Sequence, residues 1–354
     1  MLDGPLVRRG GERWQTPSLL QPARSVDRFF AMNLSLSLQA MATRFELVLS
    51  GEDGRALRAA GEEALQEIER IEGQLSFYRA DSEIATINRL AGRQPVRVSP
   101  PTFSLLEECR QYTEATDGAF DVTIGPLMRA WHFVGEKGAL PAPEDLAGAR
   151  ALTGISHLIF DRESWTVAFD RPGVAVDLGG FGKGYAVGRA IGILREHGVR
   201  HALLHGGTSS VAVIGASPVG DGWLIELEAP WRDASGGNFR VGLVDQALSV
   251  SAVHGKSFRI GDREYGHIFD PATGEPVTGM LAAAAIGPSA AVCEVLSTAL
   301  MVRGPAWLAT GQARFPGYRL LLTHQREDGA IVTSEAGAVR EPPLHQGRGF
   351  SRRA

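Results

Sequence analysis

The segment at positions 176–187 reads VDLGGFGKGYAV and holds an aspartate, four glycines and a lysine between positions 177 and 184. An apolar run precedes the glycines and a helical pattern follows them, which predicts a short strand, a tight loop and a helix. Glycines at this density let a backbone approach another group closely. The N–H groups at the helix start, together with Lys183, favour an anion, most often a phosphate. A tight strand-to-helix turn with an exposed lysine is the alternative that the loop alone leaves open.

Neither standard phosphate-binding motif fits this loop. A P-loop has glycine where Asp177 stands and serine or threonine where Gly184 stands. The dinucleotide pattern G-x-G-x-x-G also fails, because Gly180, Gly182 and Gly184 are each two residues apart. Only the general physics of a glycine loop at a helix N-terminus supports an anion here.

The composition is that of a soluble globular protein, with 354 residues, 44% of them hydrophobic, and a formal charge of −4 from 36 basic and 40 acidic side chains. This balance gives no general reason to expect nucleic acid as a partner. Two cysteines are too few for a disulfide framework and favour a reducing compartment. No apolar run is long enough to cross a bilayer and no signal peptide is recognisable, so we expect a cytoplasmic protein.

Patterned sequence begins near residue 32. We therefore expect a flexible extension over 1–31, one domain over 32–336 and a disordered tail over 337–354. Apolar alternation predicts a strand over 34–49, and VAVDLGG predicts another. Strands in groups with helices between them predict an α+β fold with mixed or antiparallel sheets rather than a regular βαβ barrel. The predicted helices begin near Leu57, Pro101, Tyr185 and Pro288.

Glu294 and Thr298 lie four residues apart in CEVLSTAL, so both side chains project from one side of a helix. A carboxylate and a hydroxyl are hard oxygen donors that suit Mg²⁺, which takes few protein ligands and phosphate oxygens for the rest. A surface glutamate beside a threonine that bonds its own backbone is the commoner meaning of such a pair. On its own this signal is weak.

Two further segments carry candidate residues. In YGHIFDPATGEPV, His267 and Asp270 stand where a strand enters a turn, and a histidine there could act as a base near neutral pH or serve the structure alone. The histidines form no H-E-x-x-H pair, which argues against zinc. In TDGAFDVTIGPLMRAWHF, the acidic loop and the aromatics Trp131 and Phe133 could hold a planar ring or lead into the core.

Taken in order, these segments resemble the ApbE family, the FAD:protein FMN transferases, from about Met41 to Leu300. The first two motifs of that family are similar to MATRF and LSFYRADSEIATIN. Two further family motifs differ little from TDGAFDVTIGPL and DLGGFGKGYAV. HIFDPATGEPV resembles H-I-x-D-P-x-T-G-x-P-V, and CEVLSTAL resembles A-D-x-L-S-T-A-L. Six matches in one order exceed what chance similarity gives.

The resemblance implies an ApbE-like, T-fold-related domain that transfers FMN from FAD to a Ser/Thr hydroxyl of an acceptor protein, with Mg²⁺ as cofactor and AMP as the second product. It implies that His267 is the base for the incoming hydroxyl. The metal ligands that it implies are the carbonyl of Gly180 and the side chains of Glu294 and Thr298. The residues that it implies for the FAD site are Met41, Tyr78, Ala119, Phe120, Asp121, Asp177, Lys183 and Ile268.

Several positions near this site depart from the family pattern. Glu294 stands where the family has an aspartate, and Thr208 stands where it has aspartate or asparagine after G-G. The family's M-G-T reads Met41–Ala42–Thr43, and its T-S-G reads Val250–Ser251–Ala252. Two alternatives therefore stay open: an FAD pyrophosphatase with water as the acceptor, and a flavin-binding protein without turnover. Because the family has an aspartate here, we expect Glu294→Asp to be at least as active as the parent.

Overall fold

The computed structural model describes residues 32–338, apart from 136–137, 233–237, 254–256, 262 and 327. The expected N-terminal extension over 1–31 and the expected tail from 339 onward lie outside the described residues.

Fifteen strands lie in the described part of the chain. They are β1 (Met32–Ala40), β2 (Thr43–Gly51), β3 (Val96–Arg97), β4 (Leu158–Asp161), β5 (Thr166–Phe169), β6 (His201–Gly206), β7 (Ser210–Ile214), β8 (Trp223–Arg232), β9 (Asn238–Leu243), β10 (Ala247–Ala252), β11 (Ser257–Ile260), β12 (Arg263–Gly266), β13 (Met280–Gly287), β14 (Arg319–Gln325) and β15 (Ile331–Ala336).

The same described residues form eight α-helices and two short 3₁₀ helices, at Ile155–His157 and Pro305–Trp307. The α-helices are α1 (Gly54–Leu75), α2 (Glu83–Leu90), α3 (Pro100–Ala115), α4 (Gly125–Ala130), α5 (Pro143–Arg150), α6 (Gly182–Glu196), α7 (Ala290–Arg303) and α8 (Leu308–Arg314).

An eight-stranded antiparallel sheet in the order β1-β2-β6-β7-β10-β13-β14-β15 forms the centre of the molecule. Helices α1, α6 and α7 pack on one face and bury the main apolar core there. The β8–β9 hairpin packs on the other face, where Trp223, Ile225 and Leu227 contact apolar side chains of the sheet. The predicted α+β fold with antiparallel sheets is thus confirmed.

The strand expected over 34–49 is two strands joined by a turn. Met41 and Ala42 have positive φ angles of 50° and 56° and connect β1 to β2, with Ala40 paired to Thr43. Positive φ at both central positions is the geometry of a two-residue hairpin turn. Both strands carry alternating apolar residues, so the pattern alone does not show the break between them.

The strand expected at VAVDLGG is absent, and this segment joins no sheet. The side chain of Asn88, on α2, makes hydrogen bonds that a neighbouring strand would otherwise make. Its amide donates to Val176 O at 2.8 Å, and its oxygen accepts from the Val176 N–H at 2.7 Å. The Asp177 N–H donates to Val122 O at 2.7 Å. The buried polar groups are thereby satisfied without strand pairing, which fixes the start of the glycine loop.

The aromatic residues after the acidic loop belong to a core of their own. Trp131 and Phe133 are buried against Phe269 and Tyr265, with ring centroids 5.7–6.0 Å apart in three of these contacts. Trp131 Nε1 donates to Gly274 O at 2.9 Å, which ties the DPATGEP turn to this cluster. The structure therefore favours the interpretation that this segment leads into the core over the interpretation that Trp131 and Phe133 hold a planar ring.

Among the described helices, none combines the length and the apolar character that crossing a membrane requires.

Candidate active site

One end of the central sheet brings several sequence-distant turns together. The β1–β2 turn at Met41 and Ala42 lies beside the β6–β7 turn, because the Gly207 N–H donates to Arg44 O at 2.9 Å. Ser210 begins β7 and is paired across the sheet with Ser249 of β10. The same end of the sheet therefore presents the hairpin turn, the G-G turn and the first residue of β7 to the helices above it.

Gly184 lets the start of α6 pack directly on α7. A Cβ at this position would lie 2.5 Å from Ala290 O and 3.0 Å from Glu294 Cγ, so only glycine permits the contact. The Gly184 N–H donates to Glu294 Oε2 at 2.7 Å, and the Ser210 hydroxyl donates to Glu294 Oε1 at 2.8 Å. Glu294 is only 4% exposed. A buried carboxylate is thus fixed through both of its oxygens.

Lys183 lies beside this carboxylate and is partly exposed. Its ammonium lies 3.5 Å from Glu294 Oε1 and donates to Gly179 O at 3.4 Å, and its side chain is 26% exposed. Both contacts are long for N–H···O bonds. The ammonium can therefore turn toward an incoming anion without giving up a strong hydrogen bond.

Thr298 lies one helical turn after Glu294 and faces the glycine loop. A Cβ on Gly180 would lie 3.6 Å from Thr298 Oγ1. On the sheet side, Ser251 Oγ is 3.4 Å from Thr298 Oγ1 and 2.9 Å from Ser297 Oγ. The three residues predicted as metal ligands thus meet in space, although they come from distant parts of the chain.

The donor chemistry of this cluster fits Mg²⁺. A buried carboxylate, a hydroxyl and the backbone of a glycine supply oxygen donors, the type that Mg²⁺ prefers. Each oxygen of Glu294 accepts one close hydrogen bond and keeps a second lone pair for a cation. Within the described ranges, no group of three or more His, Cys, Asp or Glu side chains could hold a metal ion.

Asp177 and Tyr78 lie near each other beside the glycine loop. The Asp177 carboxylate accepts from the Gly179 N–H at 2.8 Å, which tightens the loop. Partial burial and the nearby negative charge of Asp177 raise the pKa of the Tyr78 hydroxyl. Tyr78 is nevertheless 61% exposed. An accessible tyrosine therefore lies within electrostatic range of Asp177, the residue that precedes the glycines.

Asp121 uses its carboxylate inside the protein. Oδ1 accepts from the N–H and the hydroxyl of Thr123 at 2.7 and 2.5 Å, and Oδ2 accepts from the Ile155 N–H at 2.9 Å. Burial raises the pKa of this carboxyl group, and the hydrogen bonds from Thr123 and Ile155 act in the opposite direction. These contacts make Asp121 an anchor of its loop, and its contact with FAD stays a prediction.

The remaining residues predicted for the FAD site differ in exposure. Ala119 and Phe120 are buried in the main core, so a contact with FAD there would involve backbone atoms. Met41 is half-buried and its N–H donates to Glu72 Oε1 at 2.6 Å. Ile268 is half-buried, and its carbonyl accepts from the Val277 N–H at 2.9 Å.

His267 directly follows β12 at the entry to the DPATGEP turn and is half-buried. The preceding Gly266 lies against Val253, since a Cβ on Gly266 would be 3.6 Å from Val253 O. Val253 follows β10, whose Ser251 contacts Thr298. His267 is thereby tied to the end of the sheet that carries the Glu294–Thr298 cluster.

A cavity of about 260 Å³ is lined by residues of α6 that follow Gly184 and by the start of α7. Tyr112, Tyr185, Arg189 and the start of α7 contribute to its lining, whereas none of the residues predicted for FAD or metal does. We place the candidate site at Glu294 because the carboxylate, ammonium and hydroxyl groups converge there.

The sequence gives no indication that Ser210 and the Gly184 N–H contact Glu294, the predicted metal ligand. Every residue of β7 is buried, so its pattern lacks the alternation that identifies a strand. Ser251 had one available signal, since it stands at the serine of the T-S-G motif.

Gly184→Ala is expected to lower the free energy of unfolding by about 1–3 kcal/mol, because the added methyl group overpacks the contact between α6 and α7. Urea unfolding followed by circular dichroism measures this difference. Gly192→Ala is the matched control on the same helix, since a Cβ there would meet no atom within 4 Å. The control should be neutral or stabilising by up to about 1 kcal/mol, and equal behaviour of the two variants would contradict the close packing.

Comparisons with known proteins cover the whole of this site. The family model of the ApbE family matches residues 41–319 of the chain. The FAD:protein FMN transferase of Vibrio cholerae is 31% identical over 240 residues, which are 67% of this chain and 71% of that protein. The FAD:protein FMN transferase of Haemophilus influenzae is 29% identical over 282 residues, which are 77% of this chain and 81% of that protein.

Solved structures agree with the sequence comparisons. The ApbE protein of Thermotoga maritima gives a TM-score of 0.76 at 30% identity and covers 86% of this chain and 97% of that chain. The flavinyl transferase ApbE of Pseudomonas stutzeri gives a TM-score of 0.76 at 28% identity, over 88% of this chain and 96% of that chain.

Proposed function

This chain belongs to the ApbE family, and from that premise we propose that it catalyses Mg²⁺-dependent transfer of FMN from FAD to a Ser/Thr hydroxyl of an acceptor protein, with release of AMP. Flavin transfer is the activity for which its curated relatives are named, and this chain is a FAD:protein FMN transferase. The finer chemistry is supported by one observation above all: the buried Glu294 carboxylate is held by Gly184 and Ser210 beside Lys183.

In the proposed reaction, the hydroxyl oxygen of the acceptor bonds to the phosphorus of the FMN half of FAD. The P–O bond to the AMP half breaks, and AMP leaves with the electron pair of that bond. His267 takes the proton of the hydroxyl, a role that suits the side chain that exchanges protons near neutral pH. Atoms and charge balance without any further reactant.

The residues around the diphosphate have distinct tasks in this proposal. Lys183 neutralises negative charge on the diphosphate. Its ammonium can turn toward the phosphates because its contacts within the protein are long. Glu294, Thr298 and the carbonyl of Gly180 would hold the Mg²⁺. When bound, the ion would stabilise the charge that develops on the phosphate oxygens, the main contribution in phosphoryl transfer.

Binding of the flavin is supported by the exposed Tyr78 ring next to Asp177. Aromatic rings stack in offset or edge-to-face arrangements, so Tyr78 can contact one of the ring systems of FAD. The partner implied by flavin transfer is an acceptor protein that presents its hydroxyl near His267.

The purified chain incubated with FAD and Mg²⁺, with and without an acceptor protein, tests the proposal. We expect AMP together with a covalently fluorescent acceptor, and no AMP after chelation of the metal. AMP with free FMN and an unlabelled acceptor would indicate a pyrophosphatase instead. A yellow protein that releases no AMP would indicate flavin binding without turnover.

A further inference from the structure

The side chain at position 294 is one methylene longer than the aspartate of the family pattern, and a serine meets its end. Ser210 is 0% exposed, and its hydroxyl donates to Glu294 Oε1 at 2.8 Å. A buried hydroxyl requires a hydrogen-bond partner, and here that partner is the carboxylate of Glu294. The G-G turn before β7 determines where this serine stands.

We propose that Ser210 is a positioning residue that adapts the metal site to a glutamate at position 294. The inference rests on the proposed function, because it concerns the metal-ligand set of that site. Ser210 acts through Glu294: it fixes Oε1 from β7 while the Gly184 N–H fixes Oε2 from α6.

Fixing both oxygens matters because a glutamate side chain has one more rotatable bond than an aspartate. A carboxylate that is already held in place loses less conformational freedom when it binds a cation. Partners that orient a metal ligand in this way typically change metal affinity 10–100-fold when they are removed. Ser210 therefore supplies preorganisation that the longer acid otherwise lacks.

An aspartate at position 294 would not reach this serine. Its carboxylate would end about 1.5 Å closer to α7, the length of one C–C bond. The 2.8 Å contact would be lost, and the Ser210 hydroxyl would stay buried without its acceptor. These contacts predict that Glu294→Asp binds the metal more weakly than the parent, whereas the family pattern predicts a variant at least as active as the parent.

A double-mutant cycle tests the positioning role with four proteins: the parent, Ser210→Ala, Glu294→Asp and the double variant. Binding of Mn²⁺ in the presence of FAD is measured by electron paramagnetic resonance, and AMP release is followed against Mg²⁺ concentration. Ser210→Ala should weaken Mn²⁺ binding about tenfold in the parent and less than about twofold in the Glu294→Asp background. It should raise the Mg²⁺ concentration needed for half-maximal rate and leave the rate at saturating Mg²⁺ nearly unchanged.

Ser249→Ala is the matched control, because Ser249 is 1% exposed and lies directly across from Ser210 on β10. It removes an equally buried hydroxyl and should leave Mn²⁺ binding within about twofold. Equal losses from Ser210→Ala in both backgrounds, or no loss in the parent, would overturn the positioning role alone. Failure of the parent to bind Mn²⁺ would overturn the metal site of the proposed function and the positioning role with it.

Discussion

Replacing Glu294 by alanine is expected to lower the rate of Mg²⁺-dependent AMP release by on the order of 10³. The substitution removes the buried carboxylate, so that only the Thr298 hydroxyl and the Gly180 carbonyl would remain of the proposed metal ligands. It also frees the Lys183 ammonium from the charge that lies 3.5 Å away. Initial rates of AMP release from FAD, measured over a range of Mg²⁺ concentrations, give the size of the loss.

The same variant must remain folded for this result to count. Removing the carboxylate leaves the Gly184 N–H and the Ser210 hydroxyl without their acceptor, at a cost of about 1–3 kcal/mol for each buried donor. Glu294→Gln therefore accompanies it, since this side chain keeps the shape and one acceptor oxygen. Glu62→Ala, at an exposed position on α1, is the control and should keep full activity. Full activity in Glu294→Ala would show that the metal ligands lie elsewhere.

Replacing His267 by alanine is expected to lower transfer to the acceptor hydroxyl by about 10²–10⁴, the usual contribution of a general base. FAD and Mn²⁺ should still bind, because His267 precedes the DPATGEP turn and is not among the predicted ligands of either. Single-turnover labelling of the acceptor measures the rate of transfer, and titration with FAD and with Mn²⁺ measures binding.

His197→Ala provides the comparison for this variant. His197 lies at the C-terminal end of α6, with its ring 2.8 Å from Glu63 near the surface, away from the glycine loop. Its removal should leave the rate of transfer unchanged. If His267→Ala transferred FMN at the parental rate, another group would have to take the proton.

Much of the fold could be predicted wherever periodicity is long. The 22 residues of α1 repeat their apolar side at helical spacing, and α7 could be placed from PSAAVCEVLSTALMV. Shorter elements and non-local contacts could not be predicted from the sequence. The turn at Met41–Ala42 lies between two strands with the same alternation. VAVDLGG has the apolar pattern of a strand, but it pairs with no strand because Asn88, 88 residues away, bonds its backbone.

Those residues of the candidate site that belong to local sequence motifs could be predicted. Glu294 and Thr298 stand one helical turn apart, and the glycine loop shows where a backbone must come close to another element. Ser210 could not be found in this way, because its contact depends on the register between β7 and β10 and on the packing of α6 against α7. No residue spacing along the chain predicts the contact between Ser210 and Glu294.

The contact between Gly184 and Glu294 spans 110 positions, and that between Ser210 and Glu294 spans 84. During synthesis both donors therefore leave the ribosome well before their acceptor. The carboxylate can meet its two donors only after α7 has emerged, and contacts between residues so far apart in the chain slow folding. The proposed metal site is therefore incomplete until α7 packs against α6.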